Sequence, residues 1–186
     1  MVPEAALEKT EAGLATVGGG WFVLNAREAR WNRRPGRGHS LNFTGSTDFE
    51  ADTYFPQLGV NLFVLGPGEP NAMYHWETEQ EGFLVLSGEA LLVAEGQERP
   101  LRQCDFVHCP AKTNHVLVAA GDGACVVLAM SSRENQAHGP CGAYTVDEVA
   151  LRHGAGVEEE TQDADLAYAR FPKSERTRYR DGWLPT

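Results

Sequence analysis

From residue 59 onward the chain alternates short apolar runs with turn-forming breaks. The runs cover 60–65, 83–86, 90–94, 106–109, 116–118 and 124–130. Between them stand Gly66-Pro67-Gly68, Ser87-Gly88, Glu95-Gly96, Pro110 and Gly121-Asp122-Gly123. Runs of four to eight residues at such even spacing, each closed by Gly or Pro, predict an all-β antiparallel sandwich or barrel. Upstream the pattern is weaker. Residues up to about Gly20 read as a loosely held arm, 21–24 and 41–43 as short strands, and 33–40 (RRPGRGHS) as a loop. Downstream the character changes. Thr145-Val146-Asp147-Glu148 fits a capping box ahead of Val149, Ala150 and Leu151, which predicts a helix over 146–153 that stops at Gly154. A second short helix is expected over 163–170, ending before Pro172. The last residues carry Tyr179, Trp183 and Leu184 with no periodicity, and aromatics in a polar tail imply that it lies across the barrel or a neighbouring subunit. The chain reads as one domain over 1–186: arm and edge strands over 1–58, the core barrel over 59–135, and a helical and extended tail over 136–186.

One polar group interrupts the apolar series. His75, Glu77 and Glu81 are separated by even numbers of residues just before the run that starts at Phe83. On an extended segment their side chains share a face. An imidazole and two carboxylates collected in that way suggest a shared ligand. A further histidine, His115, follows Pro110 by five residues.

The spacing resembles the cupin superfamily, whose first motif has the form G-x5-H-x-H-x3,4-E-x6-G and whose second is G-x5-P-x-G-x2-H-x3-N. Gly68, His75, Glu81 and Gly88 match the first, with one extra residue between Gly68 and His75 and with Glu77 where a second His is usual. Pro110 and His115 match the second; Cys104 and Lys112 replace its glycines and Ala119 its Asn. The resemblance implies an antiparallel jelly-roll barrel with short C-terminal helices and a metal held by His75, Glu77, Glu81 and His115. Two imidazoles and two carboxylates suit a divalent transition ion such as Fe, Mn, Ni or Zn. Glu77 fits three roles: a fourth ligand, an acceptor orienting an imidazole, or the candidate catalytic base. Phe83, Val85, Val107 and Leu117 are expected to wall the interior. Tyr74 and Gln80, of opposite parity to His75, should face away; His108 reads as a strand histidine with satisfied bonds, and His39, His138 and His153 as surface.

Two functions fit. One is a metal-dependent enzyme, dioxygenase- or isomerase-like, acting on a small oxygenated molecule inside the barrel. The other is a non-catalytic module binding a sugar or small carboxylate, with the metal structural or absent. Composition narrows the partners. In a 186-residue chain of formal charge −10 a nucleic-acid or anionic-membrane partner is not expected. Arg27, Arg30, Arg33, Arg34 and Arg37 nevertheless crowd one segment, as solvated or mutually paired surface or as an anion-binding patch. Cysteines 104, 109, 125 and 141 show no metal-knuckle spacing and read as free thiols in small buried hydrophobic positions. The acidic first residues lack a secretory h-region, and no apolar run approaches membrane-spanning length. A cytoplasmic homodimer with a small molecule in the barrel is the expectation, with 21–24 and the tail around Trp183 reaching the partner.

Overall fold

The computed structural model describes residues 1–17, 20–43, 57–133 and 141–185. Among these residues are fourteen strands and two short helices. A seven-stranded antiparallel sheet runs β10 (Phe106–Cys109), β7 (Glu81–Ser87), β12 (Cys125–Ser132), β5 (Leu58–Leu65), β4 (His39–Asn42), β3 (Arg30–Arg33) and β14 (Glu175–Arg178). A five-stranded antiparallel sheet runs β13 (Gly142–Tyr144), β6 (His75–Glu77), β11 (His115–Ala120), β8 (Glu89–Ala94) and β9 (Gln97–Arg102). Strands β1 (Ala6–Thr10) and β2 (Gly13–Val17) form a separate hairpin.

The period-two alternation assigns each central strand's residues to different cores. Leu117 and Ala119 of β11, Cys125, Val127 and Ala129 of β12, Phe83 and Val85 of β7, and Ala90 and Leu92 of β8 meet in one cluster between the sheets. This is the jelly-roll interior. The intervening Val116, Val118 and Val93 face the opposite way and pack with Tyr74, Ala150 and Ala155. Val126, Leu62 and Val64 turn to the outer face of the larger sheet, onto Trp31 and Leu41. The central strands are therefore buried on both faces, which explains why they read as continuous apolar runs.

Both helices form, shorter than expected: α1 (Glu148–Arg152) and α2 (Ala164–Ala167). Asp147, not Thr145, caps α1, its carboxylate accepting from the Ala150 N–H. Asp163 caps α2. The expected strand over 21–24 does not form: Trp21 makes a single bridge to Glu4 and is 52% exposed. The supposed arm instead contains the β1–β2 hairpin. Gln97–Arg102, polar throughout apart from Pro100 and Leu101, pairs along the whole of β8. The tail lies on its own chain. Strand β14 pairs with β3, and Trp183 stacks edge-on against the wholly buried Trp31, ring centres 5.3 Å apart. Among the described residues no helix is long and apolar enough to cross a membrane.

The motif departures leave the backbone unchanged. Cys104 and Lys112, which stand where glycines are usual, hold φ of 74° and 68°. That left-handed region is where a glycine would rest without strain. Gly88 is a true requirement: at φ 78°, a Cβ there would lie 2.4 Å from the Ala124 carbonyl oxygen.

Candidate metal centre

His75, Glu77 and Glu81 do not share one strand. The chain leaves the smaller sheet after Glu77 and enters the larger one at Glu81. His75 and Glu81 nevertheless converge, because each faces the interior from its own sheet. His115 stands directly opposite His75 in the β11–β6 pairing. It has the parity of Leu117 and Ala119, so it also points inward. A donor atom from each of His75, Glu81 and His115 lies within 4.8 Å of the other two. The His115 Nε2 is 3.0 Å, and the His75 Nε2 4.0 Å, from the Glu81 Oε2. Donors about 2.1 Å from one ion are roughly 3–4 Å apart, so the spacing is close to what a single cation needs.

Backbone carbonyls fix the ring orientations. The Nδ1 of His75 is 2.7 Å from the Met73 carbonyl oxygen, and that of His115 is 2.9 Å from the Thr113 carbonyl oxygen. A carbonyl only accepts, so in both rings Nδ1 carries the proton. In the neutral rings both Nε2 lone pairs then face the Glu81 carboxylate, acceptor against acceptors. His115 is 1% exposed, and neither its Nε2 nor the Glu81 Oε2 has a satisfying hydrogen bond among the described residues. A positive charge must relieve such a site. Without a metal a proton does so. Burial pushes the His115 imidazolium down, but contacts with Cys109 and Glu81 outweigh it and raise the pKa to about 11. Burial pushes the Glu81 carboxyl up, and the two histidines more than compensate, leaving it below its ordinary value. The donor set fits a divalent cation, because acceptor atoms of these types, deprotonated, are what such an ion requires.

Glu77 stands beside this set. Its Oε1 is 3.5 Å from the His75 Nε2, and it is more exposed than Glu81. It does not join the mutually close group. Phe83 packs beneath His115, ring centres 5.3 Å apart, and Val85, Val107 and Leu117 all line the interior as expected. Tyr74 is buried on the far side of the smaller sheet, where its hydroxyl accepts from the Gly96 N–H, and Gln80 is exposed. His108 is exposed on β10, away from the interior. His153 pairs with Glu98 near the surface. His39, expected at the surface, is half-buried, its ring 4.0 Å from that of Trp183. His138 lies outside the described residues.

Three contributors were not anticipated. Cys109 has the register position opposite Glu81 and touches His115. Its alternation with Val107 was the available clue to an inward thiol; Cys104 and Cys141 are exposed, against expectation, and all four cysteines are free. Tyr144 stands opposite His75 in the β13–β6 pairing, ring centres 5.8 Å apart. Tyr168 packs edge-on against Tyr144 and accepts a hydrogen bond from the Met73 N–H. Both tyrosines come from the segment after residue 140, where no periodicity ties them to the barrel.

The sequence profile of the cupin domain matches residues 61–131. The chain carries a cupin domain. Solved structures of similar fold include a sugar phosphate isomerase of the cupin superfamily from Silicibacter pomeroyi, 22% identical over 80% of each chain with a TM-score of 0.46. A protein of Acidithiobacillus ferrooxidans provisionally assigned as a sugar phosphate isomerase is 24% identical, over 59% of this chain and 65% of its own, with a TM-score of 0.44. The DMSP lyase DddQ of Ruegeria pomeroyi is 21% identical, over 52% of this chain and 47% of its own, with a TM-score of 0.43. The chain thus spans less than two thirds of the last two proteins. Likeness at these identities and TM-scores carries no inference about activity. A search of curated sequences returns no match.

Proposed function

We propose that the chain is a metal-dependent enzyme acting on a small oxygenated molecule held in the cupin interior. The observation behind this reading is the convergence of two tautomer-fixed Nε2 atoms on a buried carboxylate. His75, Glu81 and His115 would hold a divalent ion of the Fe, Mn, Ni or Zn kind. Bound there, the ion would supply Lewis acidity or, if iron, access to oxygen chemistry.

The protein's own groups do the rest. The Met73 and Thr113 carbonyls keep both imidazoles aimed and raise their basicity through Nδ1–H. Phe83, Val85 and Leu117 keep water from the inner side. Glu77, close to His75 but outside the converging trio, is placed to take a proton from a bound molecule at Oε1 and return it. The same carboxylate could instead complete the ligand set. We also propose a homodimer. Its contact would not use Trp183, which is committed to Trp31; Trp21 and Phe106 are exposed aromatic groups available to it.

Metal stoichiometry tests the reading. Wild-type protein loaded with each candidate ion and desalted should retain about one per chain, and the His75→Ala, His115→Ala double variant almost none. Full loading of the double variant would falsify the assignment. Glu77→Gln separates the two roles of that residue. A base leaves occupancy intact and abolishes turnover; a ligand lowers occupancy.

A further inference from the structure

The arginine-rich segment returns to a tyrosine packed beside this centre. Between β3 and β4 the chain turns through Arg34-Pro35-Gly36-Arg37-Gly38, and both arginines reach Tyr168, which packs against Tyr144 beside His75. The Arg37 guanidinium lies 4.2 Å, and that of Arg34 5.0 Å, from the centre of the Tyr168 ring. Tyr168 is hydrogen-bonded to the Tyr144 hydroxyl, and Tyr144 is under the electrostatic influence of both Arg37 and Glu77. Since Tyr144 faces His75 across the β13–β6 pair, a continuous row leads from the donor cluster through Tyr144 and Tyr168 to Arg37.

The charge balance along this row is unusual for a chain of net charge −10. Two guanidiniums stack on one ring close enough for Arg37 to lower the pKa of Arg34, after the larger effect of burial. Neither forms an ion pair among the described residues; Asp165 acts on Arg34 only from beyond that distance. Arg34 donates through Nε to the Pro172 carbonyl and Arg37 through one terminal nitrogen to the Asn71 carbonyl. The Arg37 Nε is shielded from solvent and has no acceptor among the described residues. A solvated charge run would point outward; these two lie over the Tyr168 ring and have no counter-ion among the described residues. Stacking on an aromatic face holds a guanidinium in place while leaving its in-plane donors for an anion.

We propose that Arg37, with Arg34 behind it and the Tyr144 hydroxyl beside it, receives a carboxylate or phosphate at the far end of the substrate. The centre would then act on a small organic acid that offers an oxygen to the ion at one end and an anion to Arg37 at the other. This rests on the metal reading above and specifies its substrate class. It also gives the segment after residue 140 a role in recognition, because Tyr144 and Tyr168 form the wall between the two ends.

Three α-hydroxy acids with the same chelating head make the test: glycerate, malate and 3-phosphoglycerate. Only the last two carry a second anion, a carboxylate and a phosphate respectively. Each is titrated into Mn(II)-loaded protein while water-proton relaxation is followed. Wild type should bind malate or 3-phosphoglycerate at least about tenfold more tightly than glycerate, as expected for a charged hydrogen bond. Whichever of the two leads identifies the anion. Arg37→Gln should level the series without changing glycerate binding, and Tyr144→Phe should narrow it while manganese loading stays complete. Arg34→Gln, which disturbs no contact to the 71–75 segment, should narrow it too and serves if Arg37→Gln fails to fold. Loading without any preference, or a preference that survives the arginine variants, overturns this inference alone. A wild-type chain that takes up none of the four candidate ions overturns the metal centre and the inference together; if it takes up one other than manganese, the same series is read by calorimetry on the protein loaded with that ion.

Discussion

The protein holds two histidines against aromatic rings and treats them in opposite ways. His39 stacks on Trp183 at the outer face of the larger sheet, and burial lowers its pKa below 6.5, with Glu69 countering and Arg33 and Arg180 adding to the effect. His115 packs on Phe83 between the sheets, and its pKa rises to about 11 although it is the more deeply buried. Burial against a ring is common to both. What differs is the company of acceptors. His39 has no carboxylate in contact among the described residues, so desolvation decides and the ring is neutral. His115 faces Glu81 at 3.0 Å with its Nδ1 already committed to a carbonyl, so a cation is needed in the space between. A buried histidine becomes a candidate ligand through the direction of its free lone pair, not through its depth.

Removing the aromatic support of each end should separate these roles. At the outer face Trp183 packs with Trp31, Tyr179 and His39. Trp183→Ala deletes a large, partly buried ring from that cluster. A fully buried Trp costs about 3–5 kcal/mol, so a loss of about 2–3 kcal/mol in urea unfolding is expected. Metal uptake should be unchanged, because no residue of the converging trio belongs to the cluster around Trp31 and Trp183. A fall in metal uptake alongside intact fold would show that the two ends are coupled and break the distinction.

Stability against pH sharpens the same contrast, in metal-free protein. The folded pKa of His115 is raised, so between 6.5 and about 11 the native state holds more protons than the unfolded one. Its contribution is complete below 6.5 and is lost as pH climbs through about 11. His39 works in the opposite sense. Its folded pKa is depressed, so its contribution is present above 6.5 and is lost as pH falls through the lower folded value. Glu81, also depressed, adds an acid loss below 4.5. Denaturation from pH 5 to 10 should therefore show two limbs. His115→Gln should flatten the alkaline limb only, and His39→Gln the portion of the acid limb just below 6.5 only. If one substitution flattened both limbs, the two histidines would not be independent.

How much of this could be read in advance follows from periodicity. Strands buried on both faces, such as β11 and β12, gave themselves away as apolar runs, and the even spacing of His75 and Glu81 suggested a shared face, from which the two side chains do converge. The reason was different from the one expected: the chain changes sheets between Glu77 and Glu81, and two inward faces meet. Polar strands carried no comparable signal. Gln97–Arg102 pairs through its backbone as an exposed edge, and Glu175–Arg178 is placed by Trp31 and Trp183, contacts remote in sequence. Tyr144 was missed for the same reason, since only the pairing of β13 with β6 brings it to His75; Arg37 stood out as one of a basic run, but only the β3–β4 turn brings it to Tyr168.

The two glycine positions of the second motif show the limit of reading residues without backbone. Glycine there would be expected to secure a left-handed turn, and Cys104 and Lys112 look like a loss of the fold's own punctuation. The turns persist. Cys104 at φ 74° still donates its N–H to the Val85 carbonyl, and Lys112 at φ 68° donates to the Glu77 carbonyl, 2.8 and 2.7 Å away. A side chain in that region costs about 1–2 kcal/mol, and the larger unfolded-state entropy of glycine returns about 0.5–1 kcal/mol of it. Cys104→Gly and Lys112→Gly should each stabilise the protein by about 0.5–1 kcal/mol, with a matching rise in Tm. The two should add, since the turns share no partner. They should differ at the site. Cys104→Gly, hydrogen-bonded to β7, should leave metal affinity alone, whereas Lys112→Gly acts on the backbone of Glu77 and tests whether that strand's position matters to the ion. Destabilisation by either would mean that the side chain, not the turn, was holding the loop.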